Sequence, residues 1–135
     1  QIYRLPEVVQ EHLQKSIAAL SKNNGLTLIM ALSYGGRTEI VEAVRNIAAK
    51  AKAGQIDPAD ITEAVVAQHL YTRNVPDPDL LIRTSGEMRV SNFLLWQISY
   101  AELVVTPTLW PDFRRQQFCD ALEEYARRHR RFGGL

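Results

Sequence analysis

Several features are scarce in this sequence, and each scarcity excludes a class of protein. Cysteine occurs once, as Cys119, so neither a disulfide framework nor a cysteine-based metal site is expected. No apolar run approaches the roughly 20 residues that a membrane-spanning helix needs. Phosphate-cradling motifs such as Gly-x-Gly-x-x-Gly and the P-loop are missing, which argues against a generic nucleotide binder. These features favour a reducing environment, and we expect a cytoplasmic protein.

The numbers of basic and acidic residues are nearly balanced, but arginine dominates among the basic residues. The net charge of +1 argues against a protein that wraps nucleic acid along a broad basic face. The chain nevertheless has twelve Arg and only four Lys. Arg presents a planar fork of donors that matches pairs of phosphate oxygens, whereas Lys is a hydrated point charge. The surplus of Arg is therefore either codon bias or phosphate chemistry, and the positions of the Arg residues must decide.

Hydrophobic periodicity predicts that helices alternate with short apolar strands. This alternation is typical of an α/β fold in which a parallel sheet carries helices on both faces. The predicted helices are 6–23, 38–53, 61–70, 92–97 and 114–129, and the predicted strands are 26–32, 79–83 and 101–105. In the last helix Phe118, Ala121, Leu122 and Tyr125 are expected to face inward, and Arg114, Arg115, Arg127 and Arg128 to remain solvated.

In parallel sheets, ligands bind beyond the carboxyl ends of the strands, which directs attention to the loop after Ile82. Arg83, Glu87, Arg89 and Ser91 lie within nine residues there. Two Arg side chains, a hydroxyl, free backbone N–H groups near Gly86 and the start of helix 92–97 would all attract an anion. Glu87 would orient both Arg side chains by ion pairing. The alternative is a solvated loop with incidental salt bridges, and the pattern alone does not exclude it.

Glu102 opens the next predicted strand and has two interpretations. Its carboxylate could meet a divalent cation bound to a phosphate oxygen, because hard cations prefer oxygen ligands. It could equally be a buried partner for an Arg, and spacing alone favours this salt bridge. The remaining polar candidates are weaker, since His12, His69 and His129 have no ligand-like spacing.

Five separated motifs stand out along the chain. The longest is DLLIRTSGEMRVSNFLLWQ at 79–97, and a Tyr-Gly-Gly-Arg turn stands upstream of it at 34–37. Tyr100–Leu103, Leu109–Phe113 and Arg130–Gly134 follow. In residues and in order, these motifs resemble the cis-prenyltransferase family, and bacterial undecaprenyl diphosphate synthases in particular, along nearly the whole chain. This similarity implies that residues 1–135 are a single partial domain, the C-terminal portion of a parallel-sheet cis-prenyltransferase fold.

The resemblance implies a transferase that condenses isopentenyl diphosphate with an allylic diphosphate such as farnesyl diphosphate. The expected product is undecaprenyl diphosphate for the cell-wall lipid carrier, and Mg²⁺ is the expected cofactor. By position, Arg83, Arg89 and Ser91 would grip the isopentenyl diphosphate, and Glu87 would orient that pair of Arg residues. The resemblance also assigns substrate and Mg²⁺ placement to Glu102. Arg131 and Gly133 would reach the partner's substrate across a homodimer interface.

The resemblance is incomplete in ways that limit these assignments. The family's Asp-Gly-Asn-Gly-Arg-Trp motif, which holds the catalytic Asp, does not occur in the sequence. We therefore expect no catalytic residue in this chain, no activity from it alone, and peripheral membrane association only through a lipid product. Met88 stands where some members have a polar residue, so no role is transferred to it. The alternative is a non-catalytic partner subunit, but the intact substrate-gripping residues favour the catalytic lineage.

Overall fold

The computed structural model describes residues 1–128, which divide into two compact units, 1–35 and 36 onward. The first unit contains helix α1, Glu7–Leu20, preceded by a 3₁₀ turn at Ile2–Arg4. Pro6 precedes α1 and its carbonyl accepts from the N–H groups of Val9 and Gln10. No residue of α1 is buried. The predicted helix at 6–23 is confirmed, although it ends three residues early.

The predicted strand at 26–32 is wrong. These residues have no regular secondary structure, and Leu26 is 94% exposed. A strand is defined by backbone hydrogen bonds to a neighbouring strand, and the sheet in residues 1–128 has two strands, neither of which includes this segment. Its apolar composition suits a covered strand but cannot supply a pairing partner.

The second unit contains the sheet and the remaining helices. They are α2 (Gly36–Lys52), α3 (Glu63–Ala67), β1 (Leu80–Arg83), β2 (Glu102–Val105) and α4 (Arg115–Ala126), with 3₁₀ turns at Pro58–Asp60 and Trp110–Asp112. The two strands are parallel, and Leu80 pairs with Glu102 and Arg83 with Val105. The α/β class with a parallel sheet is thus confirmed. Within residues 1–128 no helix combines the length and the apolar character needed to cross a membrane.

The core of the second unit is small and partly polar. Its buried apolar residues are Ala43, Ile47, Leu70, Val104 and Ala121. The buried polar residues are Glu39 and Gln97, at 1% and 3% exposure. On α4 Ala121 is buried and Tyr125 is half-buried, whereas Phe118 and Leu122 are 47% and 40% exposed. The inward-facing stripe predicted for this helix is therefore confirmed at Ala121 and wrong at Phe118 and Leu122. A stripe in the sequence shows which face could be covered, but not whether a neighbour covers it.

The predicted helix at 92–97 is also wrong, because this segment consists of turns. Ser91, Asn92 and Leu94 have φ angles of 53°, 63° and 43°, which a right-handed helix cannot contain. Instead the segment packs against the start of α2. The N–H of Gly36 donates to the Asn92 carbonyl at 2.7 Å, and the N–H of Arg37 donates to Asn92 Oδ1 at 2.8 Å.

Candidate functional site

A cluster of three charged side chains lies directly beyond the carboxyl end of β1. Glu87 accepts from Arg83 through Oε2 and from Arg89 through Oε1, so one carboxylate bridges two guanidinium groups. Arg83 and Glu87 are about one-third exposed, and Arg89 is 68% exposed. The ion pairing predicted for Glu87 is present. The cluster keeps a net charge of +1 and a largely accessible Arg89.

A pocket of about 250 Å³ opens beside this cluster. It is lined by Leu81, Ile82, Arg83, Arg89, Val90 and Phe93. The lining combines two guanidinium groups with apolar side chains from β1 and from the turn segment. The Nε of Arg83 is buried and has no hydrogen-bond partner among the described residues. A buried donor without an acceptor is unfavourable, so Glu87 does not satisfy the whole Arg83 guanidinium group.

Two of the predicted anion-binding devices are not available. Helix 92–97 does not form, so no helix dipole starts behind the loop. The backbone N–H groups of Ser85 and Gly86 donate to the carbonyls of Thr108 and Thr106, at 2.9 and 2.8 Å, and are not free. Ser91 lies exposed in the turn and is not part of the pocket lining. Of the predicted anion-binding groups, the two Arg side chains are therefore the ones that line the pocket.

Glu102 lies at the other end of the strand pair from Arg83. It pairs with Leu80, three residue steps or about 10 Å along the sheet from the register of Arg83. Its Oε2 accepts from Arg128 Nη1 at 3.0 Å, and Arg128 also pairs with Glu124. The salt-bridge interpretation of Glu102 is confirmed. The prediction that Arg128 is a solvated helix charge is wrong, since its side chain is only 33% exposed.

Metal binding and the chain terminus remain predictions. Within residues 1–128 no three His, Cys, Asp or Glu side chains converge to form a metal site. Mg²⁺ often binds through one or two carboxylates together with substrate phosphates, so a single Glu102 carboxylate is compatible with it. Arg131, Gly133 and His129 lie outside the described residues.

Sequence reasoning missed the buried polar residues that support the loop. Glu39 lies on the same face of α2 as Gly36, Ala43 and Ile47, and accepts from the N–H of Tyr71 at 2.7 Å and from Gln97 Nε2 at 3.2 Å. A Cβ on Gly36 would lie 3.0 Å from Leu95 Cγ and 3.1 Å from Leu95 N. Gly36 in the Gly-Gly turn therefore serves close packing. In the sequence, the small residues Gly36 and Ala43 lie on the same helix face as Glu39 and indicate that this face is closely packed.

Comparison with known proteins gives a consistent result. The family model described as "Putative undecaprenyl diphosphate synthase" matches residues 1–133. An isoprenyl transferase from Heliobacterium mobile is 55% identical over 97% of this chain and 50% of its own length. An isoprenyl transferase from Bacillus subtilis is 47% identical, again over 97% of this chain and 50% of its own length. The chain thus spans about half the length of the curated relatives that it matches.

Two solved structures resemble the chain closely. Lavandulyl diphosphate synthase from Lavandula x intermedia, in complex with dimethylallyl diphosphate, has a TM-score of 0.93 and 46% identity, covering 98% of this chain and 57% of that one. A "probable undecaprenyl diphosphate synthase" from Campylobacter jejuni has a TM-score of 0.79 and 31% identity, covering 98% and 60%.

Proposed function

Because the chain belongs to the undecaprenyl diphosphate synthase family of prenyltransferases, we propose that its residues serve the condensation of isopentenyl diphosphate with an allylic diphosphate. The observation that carries this proposal is the cluster of Arg83, Glu87 and Arg89 beside the pocket. In this proposal, the pocket beside the cluster holds the isopentenyl diphosphate. The proposed allylic substrate is farnesyl diphosphate and the proposed product is undecaprenyl diphosphate.

The composition of the pocket suits a small isoprenoid diphosphate. The diphosphate group carries charges that the forks of Arg83 and Arg89 can meet with charge-assisted hydrogen bonds. The five-carbon isopentenyl group is apolar and suits the side chains of Leu81, Ile82 and Phe93 that line the same pocket. Glu87 holds both guanidinium groups before the ligand arrives, which lowers the conformational entropy lost on binding. We also propose the hydroxyl of Ser91, which lies exposed in the adjacent turn and outside the pocket lining, as a further donor to the diphosphate.

We propose Glu102 as the residue that helps place Mg²⁺ with the substrate. When bound, Mg²⁺ would neutralise diphosphate oxygens and stabilise developing negative charge. Within residues 1–128, the salt bridge with Arg128 uses Oε2 of Glu102, whose side chain is 25% exposed. Arg128 holds this carboxylate at the start of β2, so its position is fixed whether or not a cation is bound.

The whole reaction needs more than these residues supply. The 135 residues contain no Asp-Gly-Asn-Gly-Arg-Trp motif, so we propose that they carry the isopentenyl diphosphate half of the site and lack synthase activity alone. The complementary proposal is a homodimer in which Arg131 and Gly133 serve the partner's substrate. Incorporation of isopentenyl diphosphate by the purified chain would contradict the proposed lack of activity. A monomer in analytical sedimentation would contradict the proposed homodimer.

The binding proposal is tested with the purified chain by calorimetric titration with isopentenyl diphosphate and with inorganic pyrophosphate. Arg89→Ala removes charged hydrogen bonds worth about 1.5–3 kcal/mol, so the affinity is expected to fall at least about tenfold. The matched control is Arg115→Ala, which removes the same charge from the exposed first residue of α4. Equal affinities for the Arg89→Ala chain and the unsubstituted chain would refute the site, and would favour the non-catalytic subunit.

A further inference from the structure

The turn at 90–93 forms one wall of the pocket and has an unusual backbone. The N–H of Phe93 donates to the Val90 carbonyl at 3.3 Å, and the two central residues, Ser91 and Asn92, both have positive φ. This is the pattern of a type I′ turn, whose central positions favour Asn and Gly. Both flanking residues, Val90 and Phe93, line the pocket with Arg89. The geometry of this turn therefore determines where that wall of the pocket lies.

Residues other than glycine rarely adopt left-handed backbone angles unless the surrounding structure fixes them. Here the surrounding structure is the start of α2. The Asn92 carbonyl accepts from the N–H of Gly36, and Asn92 Oδ1 accepts from the N–H of Arg37. The first N–H groups of a helix have no partner within the helix, so both interactions satisfy donors that would otherwise need water. We call this pair of hydrogen bonds the Asn92 clamp.

Two further contacts hold the same segment against α2. Gly36 approaches Leu95 so closely that a Cβ would lie 3.0–3.1 Å from its Cγ and backbone N, so only glycine allows this distance without displacement. Gln97, which is 3% exposed, donates from Nε2 to both oxygens of Glu39 and to Thr72 Oγ1. The residues that follow the turn are thus anchored independently, and the Asn92 clamp fixes the turn itself.

We propose that Asn92 is a positioning residue for the diphosphate pocket, acting through the 90–93 turn on Arg89. This inference rests on the proposed function of the pocket. Asn92 meets two requirements at once: it tolerates a left-handed backbone, and its side-chain oxygen caps α2. Glycine would keep the first property and lose the second. Serine would retain a neutral capping oxygen, and Ser91 shows that serine adopts such angles here.

The test compares pyrophosphate affinities of Asn92→Gly and Asn92→Ser in the purified chain. Small displacements of a binding group cause large losses, so Asn92→Gly is expected to weaken binding about five- to tenfold. Asn92→Ser should recover most of this loss. The matched control is Asn74→Gly, which makes the same change at another exposed asparagine with φ of 70° and should alter the affinity less than about twofold.

A double-mutant cycle separates positioning from a general effect on the fold. If Asn92 acts through Arg89, then Asn92→Gly should cost less than about twofold in a chain that already carries Arg89→Ala. An undiminished loss in that background would overturn the proposal, as would full affinity in Asn92→Gly alone. If Arg89→Ala itself has no effect, the proposed function fails. If only the Asn92 variants have no effect, the proposed function stands and this inference fails.

Amide hydrogen exchange tests the clamp without any ligand. In Asn92→Gly the N–H of Arg37 loses its side-chain acceptor and should exchange at least about fivefold faster. The N–H of Gly36 should stay protected, because its acceptor is the backbone carbonyl of residue 92. Unchanged exchange at Arg37 would show that the clamp does not exist in solution and would overturn the proposal.

Discussion

Two ion-pair networks lie at opposite ends of the strand pair, and their compositions are inverted. Beyond the carboxyl end of β1, one carboxylate, Glu87, bridges two guanidinium groups, which leaves a net charge of +1. At the start of β2, one guanidinium, Arg128, bridges the carboxylates of Glu102 and Glu124, which leaves −1. The same two residue types thus produce one network that attracts anions and one that attracts cations.

Exposure separates the two networks further. Arg89 is 68% exposed beside a pocket, whereas Arg128 is 33% exposed and connects α4 to the first residue of β2. The hydrogen bond that Arg128 donates to Glu102, and then the one that it donates to Glu124, raise the pKa of Arg128. A raised pKa in the folded state means that the stabilisation is present at neutral pH and is lost only in strongly alkaline solution. The first network is therefore available to a ligand, and the second is a constant structural link.

The largest expected difference between the two networks is in their contribution to the free energy of unfolding. Arg128→Ala leaves a partly buried Glu102 without its guanidinium partner and should lower the free energy of unfolding by about 1–2 kcal/mol. The matched control is Arg127→Ala. Arg127 is 80% exposed and, among residues 1–128, pairs with Glu123 alone, at 3.4 Å, so its loss should cost at most about 0.5 kcal/mol. Urea denaturation at neutral pH measures both, and equal losses would remove the structural distinction.

The sequence predicts the positive network (Arg83, Glu87 and Arg89) much better than the negative network (Glu102, Glu124 and Arg128). Arg83, Glu87 and Arg89 are neighbours in the chain, so their meeting depends only on β1 ending at Arg83. Glu102 and Arg128 are separated by most of β2 and all of α4, and their contact depends on how that helix packs. Periodicity does not contain this information, which is why the sequence predicts a solvated Arg128.

The two wrong elements have one cause in common. Residues 26–32 are apolar enough for a covered strand, and 92–97 follow a residue able to cap a helix, so local preference favoured regular structure in both. Long-range contacts decide the second case, because Asn92 caps α2 rather than starting a helix of its own. The confirmed elements are α1, α2, α4, β1 and β2, together with α3, which is shorter than the helix predicted at 61–70. In these elements local pattern and tertiary contacts agree, or few contacts exist to oppose the pattern.

A smaller effect sharpens the role of Glu87 in the positive network. Glu87→Gln removes a competing negative charge, which favours an anion, but also releases Arg83 and Arg89, which disfavours it. Salt screens the first effect and leaves the second. Relative to the unsubstituted chain, pyrophosphate binding should be nearly unchanged at 0.1 M salt and about threefold weaker at 1 M salt. Tighter binding at both salt concentrations, measured by calorimetry, would show that Glu87 only competes with the ligand.

The smallest effect tests whether the negative network takes part in binding at all. Glu102 lies about 10 Å along the strands from the register of Arg83, a separation at which one unit charge contributes about 0.4 kcal/mol in a water-like medium. If Glu102 helps to hold Mg²⁺ with the ligand, Glu102→Gln should weaken pyrophosphate binding about twofold with Mg²⁺ present. With a chelator present the same substitution removes only the repulsion between Glu102 and the anion, so binding should be unchanged or up to about twofold tighter.

Glu124→Gln is the matched control, because it removes the other carboxylate from the same guanidinium and from a more exposed position. If the two variants respond identically to Mg²⁺, the effect belongs to the net charge of the network and not to Glu102. If only Glu102→Gln responds, the carboxylate at the start of β2 acts on the ligand held beyond the end of β1, and the two networks form one site. If neither variant responds, the positive network binds the ligand and the negative network has a purely structural role.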